Sequence, residues 1–312
     1  MRYSTAEAFD HAIVDHMRQI SVTTGSHPSQ IRLFIAIDRI LARLAAVDDQ
    51  AFIVKGGIAL EYRIGHQART TKDLDIAMRG FIEARDGLRR ACEIALDDFF
   101  SVSIVSEPVA EKPIVEGVPS YRWSLAVDLG TKRFASLTLD IGIEETSFRR
   151  PDVVQGPDLL AFAGIARTAV RIIPVEYHLA EKLHAYSRIY ANERESTRVK
   201  DLVDIVLLAY YHPICRDDLS AAIRDVFGSR GGHDIPERLG DAPDGWRSTF
   251  RTLAAPLGIS PEVGDALQLA RDLFAPALRQ QIDHGVWDPK KRQWNTEANL
   301  KRSVDSMRRA RR

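Results

Sequence analysis

The sequence predicts an α+β fold: a first half that mixes helices with short strands, followed by a helical second half. Three observations predict it. Strand-like segments, apolar or alternating, fall only before about residue 145. From about Pro174 onward apolar residues recur at helical spacing. A loop from Gly228 to Gly245, with five glycines and two prolines, interrupts that helical half. The expected division is residues 1–165, an α+β domain with N-terminal helices, and residues 166–312, a helical domain with a basic C-terminal tail.

The elements follow in order. Ile31, Phe34, Ile35, Ile37, Leu41 and Leu44 make residues 30–47 an amphipathic helix. Ala51-Phe52-Ile53-Val54 reads as a buried strand, broken at Gly56-Gly57, with a short helix resuming over Ile58–Arg63. A polar loop, Gly65 to Lys72, leads into Asp73–Met78, which alternates as a half-buried strand does. Residues 81–99 are helical in pattern. Tyr121–Asp128 and Phe134–Ile143 form a hairpin across Leu129-Gly130-Thr131-Lys132. Beyond Pro174, suited to a first helical turn, come helices over Val175–Tyr190 and Thr197–Tyr211, the second ended by His212-Pro213. Pro261–Phe274 and Pro276–Ile282 complete the helical half.

Composition excludes several classes. With 45% hydrophobic and 28% charged residues, 312 residues are enough for a sizeable core and are not a disordered chain. Two cysteines without a CxxC spacing exclude a zinc ribbon and argue against a disulfide framework. No apolar run approaches the roughly 18 residues of a membrane span, and the first residues lack a signal-peptide pattern, so a cytoplasmic protein away from membranes is expected. The net charge of zero is a sum of unlike parts. Lys290–Arg312 holds nine basic and two acidic residues, +7 in all, which leaves −7 for residues 1–289. Such a tail suits nucleic-acid phosphates, or is simply a solvated terminal helix.

The chemistry concentrates in two stretches. Asp73 and Asp75, two apart in a strand, project to one face while Leu74 and Ile76 point to the core. Neighbouring carboxylates repel unless a cation lies between them, and oxygen ligands of this kind suit Mg2+ with a bound triphosphate. Gly56-Gly57 between a strand and a helix lets backbone approach an anion at a helix N-terminus, and Lys55 adds a charge. Neither GxGxxG nor the Walker-type P-loop occurs, so dinucleotide-binding and P-loop ATPase folds are not expected. Asp140, in an otherwise apolar alternating strand, is the candidate third carboxylate; Asp128 in the neighbouring strand competes for the role. In the helical half, Lys182 and the pair Asp201 and Asp204, one turn apart, could hold triphosphate and act on a hydroxyl, together with His184, or could form a helix–helix ion pair.

Lys55-Gly56-Gly57, Arg69-Thr70-Thr71-Lys72-Asp73-Leu74-Asp75, Glu181-Lys182-Leu183-His184-Ala185 and Lys200-Asp201-Leu202-Val203-Asp204 resemble, in that order, the motifs of the AbiEii/AbiGii toxin family of nucleotidyltransferases, in particular the mycobacterial MenT type. The likeness spans about residues 50–210. It implies a DNA polymerase β-like core with a helical C-terminal domain, and a toxin of a toxin–antitoxin pair. Such a toxin transfers a nucleoside monophosphate from an NTP, CTP or UTP by preference, to the 3′ end of tRNA, with Mg2+ as cofactor and a cognate antitoxin as partner. On this resemblance Lys55, Gly56, Gly57, Arg69 and Thr71 bind nucleotide, Asp73, Asp75 and Asp140 hold metal, and Asp73, Lys182, Asp201 and Asp204 serve catalysis. Position 57 departs from the Gly-Ser of many polymerase β-like enzymes, so Thr71 or backbone N–H groups must replace the serine. Two other readings use the same residues: nucleotide transfer to a small molecule or protein, and a non-catalytic nucleotide-binding module.

Overall fold

The computed structural model of the chain describes residues 1–69, 71–108, 117–188, 198–279 and 284–295, with backbone alone at His66. Contacts divide the chain into two units, Met1–His66 with Thr70–Ile173, and Gln67–Arg69 with Pro174–Arg312. The first unit extends past the expected 165/166 division because a strand at 169–172 belongs to its sheet. Most of the basic tail, residues 296–312, lies outside the described residues, as do Thr70, the end of the expected helix at 189–190 and the 280–282 part of the last one.

The first unit is α+β, as the sequence predicts. Two helices open it, α1 (Ala6–Thr24) and α2 (Pro28–Asp48). Then come β1 (Phe52–Lys55), α3 (Gly56–Ile64), β2 (Asp73–Met78), α4 (Phe81–Glu93) and β3 (Phe100–Ser106). The hairpin β4 (Ser120–Leu129) and β5 (Lys132–Ile143) follows, then β6 (Asp152–Gln155) and β7 (Ala169–Ile172). The seven strands form one mixed sheet in the order β3-β4-β5-β2-β1-β7-β6. β2 runs parallel to β5 and antiparallel to β1, so the carboxylate strand sits at the centre of the sheet. Helix α2 turns Ile31, Ile35, Leu41 and Leu44 into the core, where each such side chain contributes about 1.5–3 kcal/mol.

The helix expected over 81–99 stops at Glu93, and strand β3 was not foreseen. The chain leaves the helix at Ile94 in an extended conformation and is then anchored by a buried ion network. Arg43 of α2 donates to Asp98 at 2.9 Å and to the Phe100 carbonyl at 2.5 Å, and Arg39 reaches the same aspartate at 3.3 Å. Asp98 lies in a non-helical segment, with Asp97 and Phe99 on either side at φ 50° and 58°. Weak periodicity hid β6 and β7, which are four residues each.

The second unit is mainly helical: α5 (Val175–Ser187), α6 (Val199–Tyr211), α7 (Arg216–Arg230), α8 (Trp246–Ala254) and α9 (Val263–Arg279). Helix α9 runs straight through Pro276, where two segments were expected, and α7 continues through Gly228. The expectation of an all-helical half is corrected by a small sheet of β8 (Ile214–Cys215), β9 (Val286–Asp288) and β10 (Gln293–Asn295). Strands of two or three residues leave no alternation to read. Trp287 fixes this sheet, fully buried and donating its indole N–H to the Ala209 carbonyl of α6 at 2.8 Å. Among the described residues no helix is long and apolar enough to cross a membrane.

Candidate active site

The first unit builds a row of charge across four strands. Register places Arg122 of β4 opposite Asp140 of β5, Asp140 beside Asp75 of β2, and Asp75 opposite Lys55 of β1. Residues directly opposite one another share a face of the sheet, and Asp73, two before Asp75, shares it too. Leu74 and Ile76 point to the other face and are buried, as their alternation requires. The three aspartates singled out in the sequence are thus brought onto one face. Asp128, the competitor, stands near the hairpin turn opposite Arg133, six residues along β4 from Arg122 and so about 20 Å away.

The Gly-Gly pair is explained by what presses on it. A Cβ at position 56 would lie 2.0 Å from Oδ2 of Asp75, and Gly56 also has φ +59°. A Cβ at position 57 would lie 2.7 Å from the Thr71 Cβ and 2.9 Å from its Oγ1. The space that a serine side chain at 57 would need is therefore filled by the hydroxyl-bearing end of Thr71. Helix α3 starts at Gly56, and its cap residue Lys55 makes no side-chain hydrogen bond to the first turn.

Two residues missed by the sequence reading hold this half. Arg122 forms a two-point ion pair with Asp140, Nε to Oδ1 at 2.8 Å and Nη2 to Oδ2 at 2.7 Å. The hydrogen bonds and charge of Asp140 raise the Arg122 pKa further, and Asp73 and Asp75 add to the field. Glu144, just beyond β5, pairs with the buried Lys55 ammonium and also accepts from Ser147 at 2.8 Å. Lys55, expected as a phosphate ligand, is thus engaged by a carboxylate. Neither Arg122 nor Glu144 gives a local signal in the sequence.

The second unit gathers the remaining motif residues. Lys182 of α5 lies 2.9 Å from Asp201 and 2.9 Å from Asp204, both on α6. Arg69, which belongs by its contacts to this unit, donates through Nε to Asp204 Oδ1 at 2.6 Å and through Nη2 to Oδ2 at 2.9 Å. Asp204 is fully buried, and burial works against its charge, but Lys182 and Arg69 outweigh it and bring its pKa down to about 2. Burial likewise opposes the Lys182 charge, and Asp201 and Asp204 overcome it and raise its pKa. An aspartate so held is a poor base near neutral pH and serves to position the two cations. His184 stays out of the cluster, buried with Nε2 3.1 Å from the Gly231 carbonyl.

The family model described as nucleotidyl transferase AbiEii toxin, type IV TA system, matches residues 39–284, well over half of the chain. The chain belongs to the AbiEii nucleotidyltransferase toxin family. No curated protein matches it by sequence. Among solved structures, it is similar to MenT4, a nucleotidyltransferase toxin of Mycobacterium tuberculosis, at 17% identity and TM-score 0.54, over 95% of this chain and 99% of that one. A Helicobacter pylori protein described as a nucleotidyltransferase aligns at 16% identity and TM-score 0.46, over 83% of this chain and 100% of that one. The mixed sheet and helices of this AbiEii protein are thus the nucleotidyltransferase fold, similar to the polymerase β-like core. Membership of a nucleotidyltransferase toxin family implies an NTP substrate and a cognate antitoxin as partner.

Proposed function

We propose that this AbiEii protein transfers a nucleoside monophosphate from CTP or UTP to the 3′ end of tRNA in the cytoplasm, with Mg2+, and so blocks aminoacylation. The observation that carries the reading is the placement of Asp73, Asp75 and Asp140 on one sheet face, with Asp75 packed against the glycine that opens α3. Three neighbouring carboxylates, all oxygen donors, have the chemistry of a hard divalent cation site. Among the described residues no group of three or more His, Cys, Asp and Glu is already arranged around a metal position, and Asp140 is turned onto Arg122. Asp73 and Asp75 would hold the ion, joined by Asp140 when it leaves Arg122. A bound divalent ion supplies charge neutralisation on the α-phosphate and on the pyrophosphate that leaves.

The chain's own residues have separable tasks. The N–H groups of Gly56 and Gly57 meet phosphate oxygens at the start of α3, and the Thr71 hydroxyl donates where a serine at 57 would have done. Lys182 and Arg69, whose charges Asp204 sustains, are the second unit's candidates for neutralising triphosphate. The acceptor 3′-oxygen then bonds to the α-phosphorus as the α–β bridging bond breaks, and its proton passes to solvent.

The test is incubation with each α-labelled NTP, Mg2+ and total tRNA. Label should enter tRNA from CTP or UTP and vanish with Asp73→Ala. Label appearing only in protein or in small molecules would sink the tRNA acceptor, and equal transfer by Asp73→Ala would sink the site.

A further inference from the structure

The row on the sheet face reads Arg122, Asp140, Asp75, Lys55: positive, negative, negative, positive. Its two ends differ. Lys55 is buried and closed off by Glu144. Arg122 is 61% exposed along its side chain and holds Asp140, itself 20% exposed, through both carboxylate oxygens. On the same face its strand neighbours are Ser120 and Ser124, opposite Gly142 and Thr138, all too small to wall the guanidinium in. Among these strand neighbours the arginine is held by charge rather than by packing.

A guanidinium that uses both oxygens of Asp140 and a divalent cation that needs one of them cannot be accommodated together without strong like-charge repulsion. We propose that Arg122 is an internal, displaceable cation: it occupies the third carboxylate in the metal-free protein, and the metal must drive it off Asp140 to complete the site. This rests on the reading of Asp73, Asp75 and Asp140 as the metal ligands. Arg122 is then a positioning residue that acts through Asp140. It keeps the carboxylate row from repelling itself when empty, and it sets the metal concentration at which the row loads. Once displaced, its long exposed stem leaves the charge free to meet phosphate.

The readout is Mn2+ binding to the full chain without nucleotide, followed by the spin resonance of the free ion, with circular dichroism to verify folding. Arg122→Ala should bind Mn2+ about ten times more tightly than the unsubstituted protein. Arg122→Lys, which keeps the charge but loses the two-point fork, should fall between them. In an Asp140→Asn background the Arg122→Ala change should have no further effect. Binding that is unchanged or weaker in Arg122→Ala would overturn the proposal, since Arg122 would then support Asp140 as a ligand rather than compete for it. If Asp73→Asn and Asp75→Asn leave Mn2+ binding unaltered, the metal-site reading itself fails, which is a separate result.

Discussion

The carboxylate row of the first unit and the lysine–aspartate cluster of the second use the same residue types to opposite ends. In the row, Asp73, Asp75 and Asp140 lie on one open sheet face between the exposed Arg122 and the buried Lys55. In the cluster, Arg69 and Lys182 meet Asp201 and Asp204 in a buried arrangement, with Arg198 3.8 Å from Asp201 at its edge. The lesson is that charge on an open face can exchange partners, whereas charge in a buried cluster is held in place by its neighbours. Breaking each region should therefore give different signatures.

The largest effect on stability is expected from Asp204→Ala, which leaves two cations buried without their shared partner; the loss should be about 3–5 kcal/mol in urea unfolding. The pH dependence follows from the sign of the shift. With its folded pKa lowered from 3.8 to about 2, Asp204 contributes stability that is complete above the unfolded value and is lost as pH falls through about 2. Unfolding by acid should show this loss in the unsubstituted protein and not in Asp204→Ala. Next, Gly56→Ala places a methyl on Asp75 at a positive φ, and should cost about 2–3 kcal/mol and abolish nucleotide transfer. A fully active Gly56→Ala would show that Asp75 can move without harm.

A smaller effect belongs to Glu61 of α3, whose carboxyl is pushed up to about 8 by burial and has one oxygen without a hydrogen-bond partner among the described residues. The folded state keeps its proton up to about pH 8 while the unfolded chain releases it near 4.5, so stability falls as pH rises between those values. Glu61→Gln should match the unsubstituted protein near pH 4.5 and melt progressively higher than it as pH rises toward 8. Smallest of all, Arg251→Ala removes an exposed ion pair with Glu262 and should change stability by less than about 0.5 kcal/mol.

What the sequence made legible follows from the range of its signals. Alternation put Asp73 and Asp75 on one face of their strand and Asp140 on the polar face of its own, because period two is a property of a single strand; the parallel pairing of β2 with β5 makes those faces one. One-turn spacing likewise aligned Asp201 with Asp204. Partners from other strands were not legible. A plain hairpin count from Leu129 opposite Lys132 puts Arg122 opposite Leu139 on the core face. An irregularity between Val127 and Asp128 shifts the register by one and delivers Arg122 to Asp140. Glu144 and Asp98 were invisible for a similar reason: each is defined by an arginine or lysine about 55 to 90 residues away in the chain.

That register shift also bears on how such a gene can change. The extra residue, Phe134, is taken up close to the Gly130–Thr131 tip, between Asp128 opposite Arg133 and Val127 opposite Ala135. Everything beyond it, from Val127 to Ser120, keeps its pairing whatever the length of the tip. A codon gained or lost there is absorbed before it reaches Arg122 and Asp140, whereas one gained or lost between positions 136 and 140 would turn the aspartate toward the core. The hairpin has one end where length is free to drift and one end where it is not.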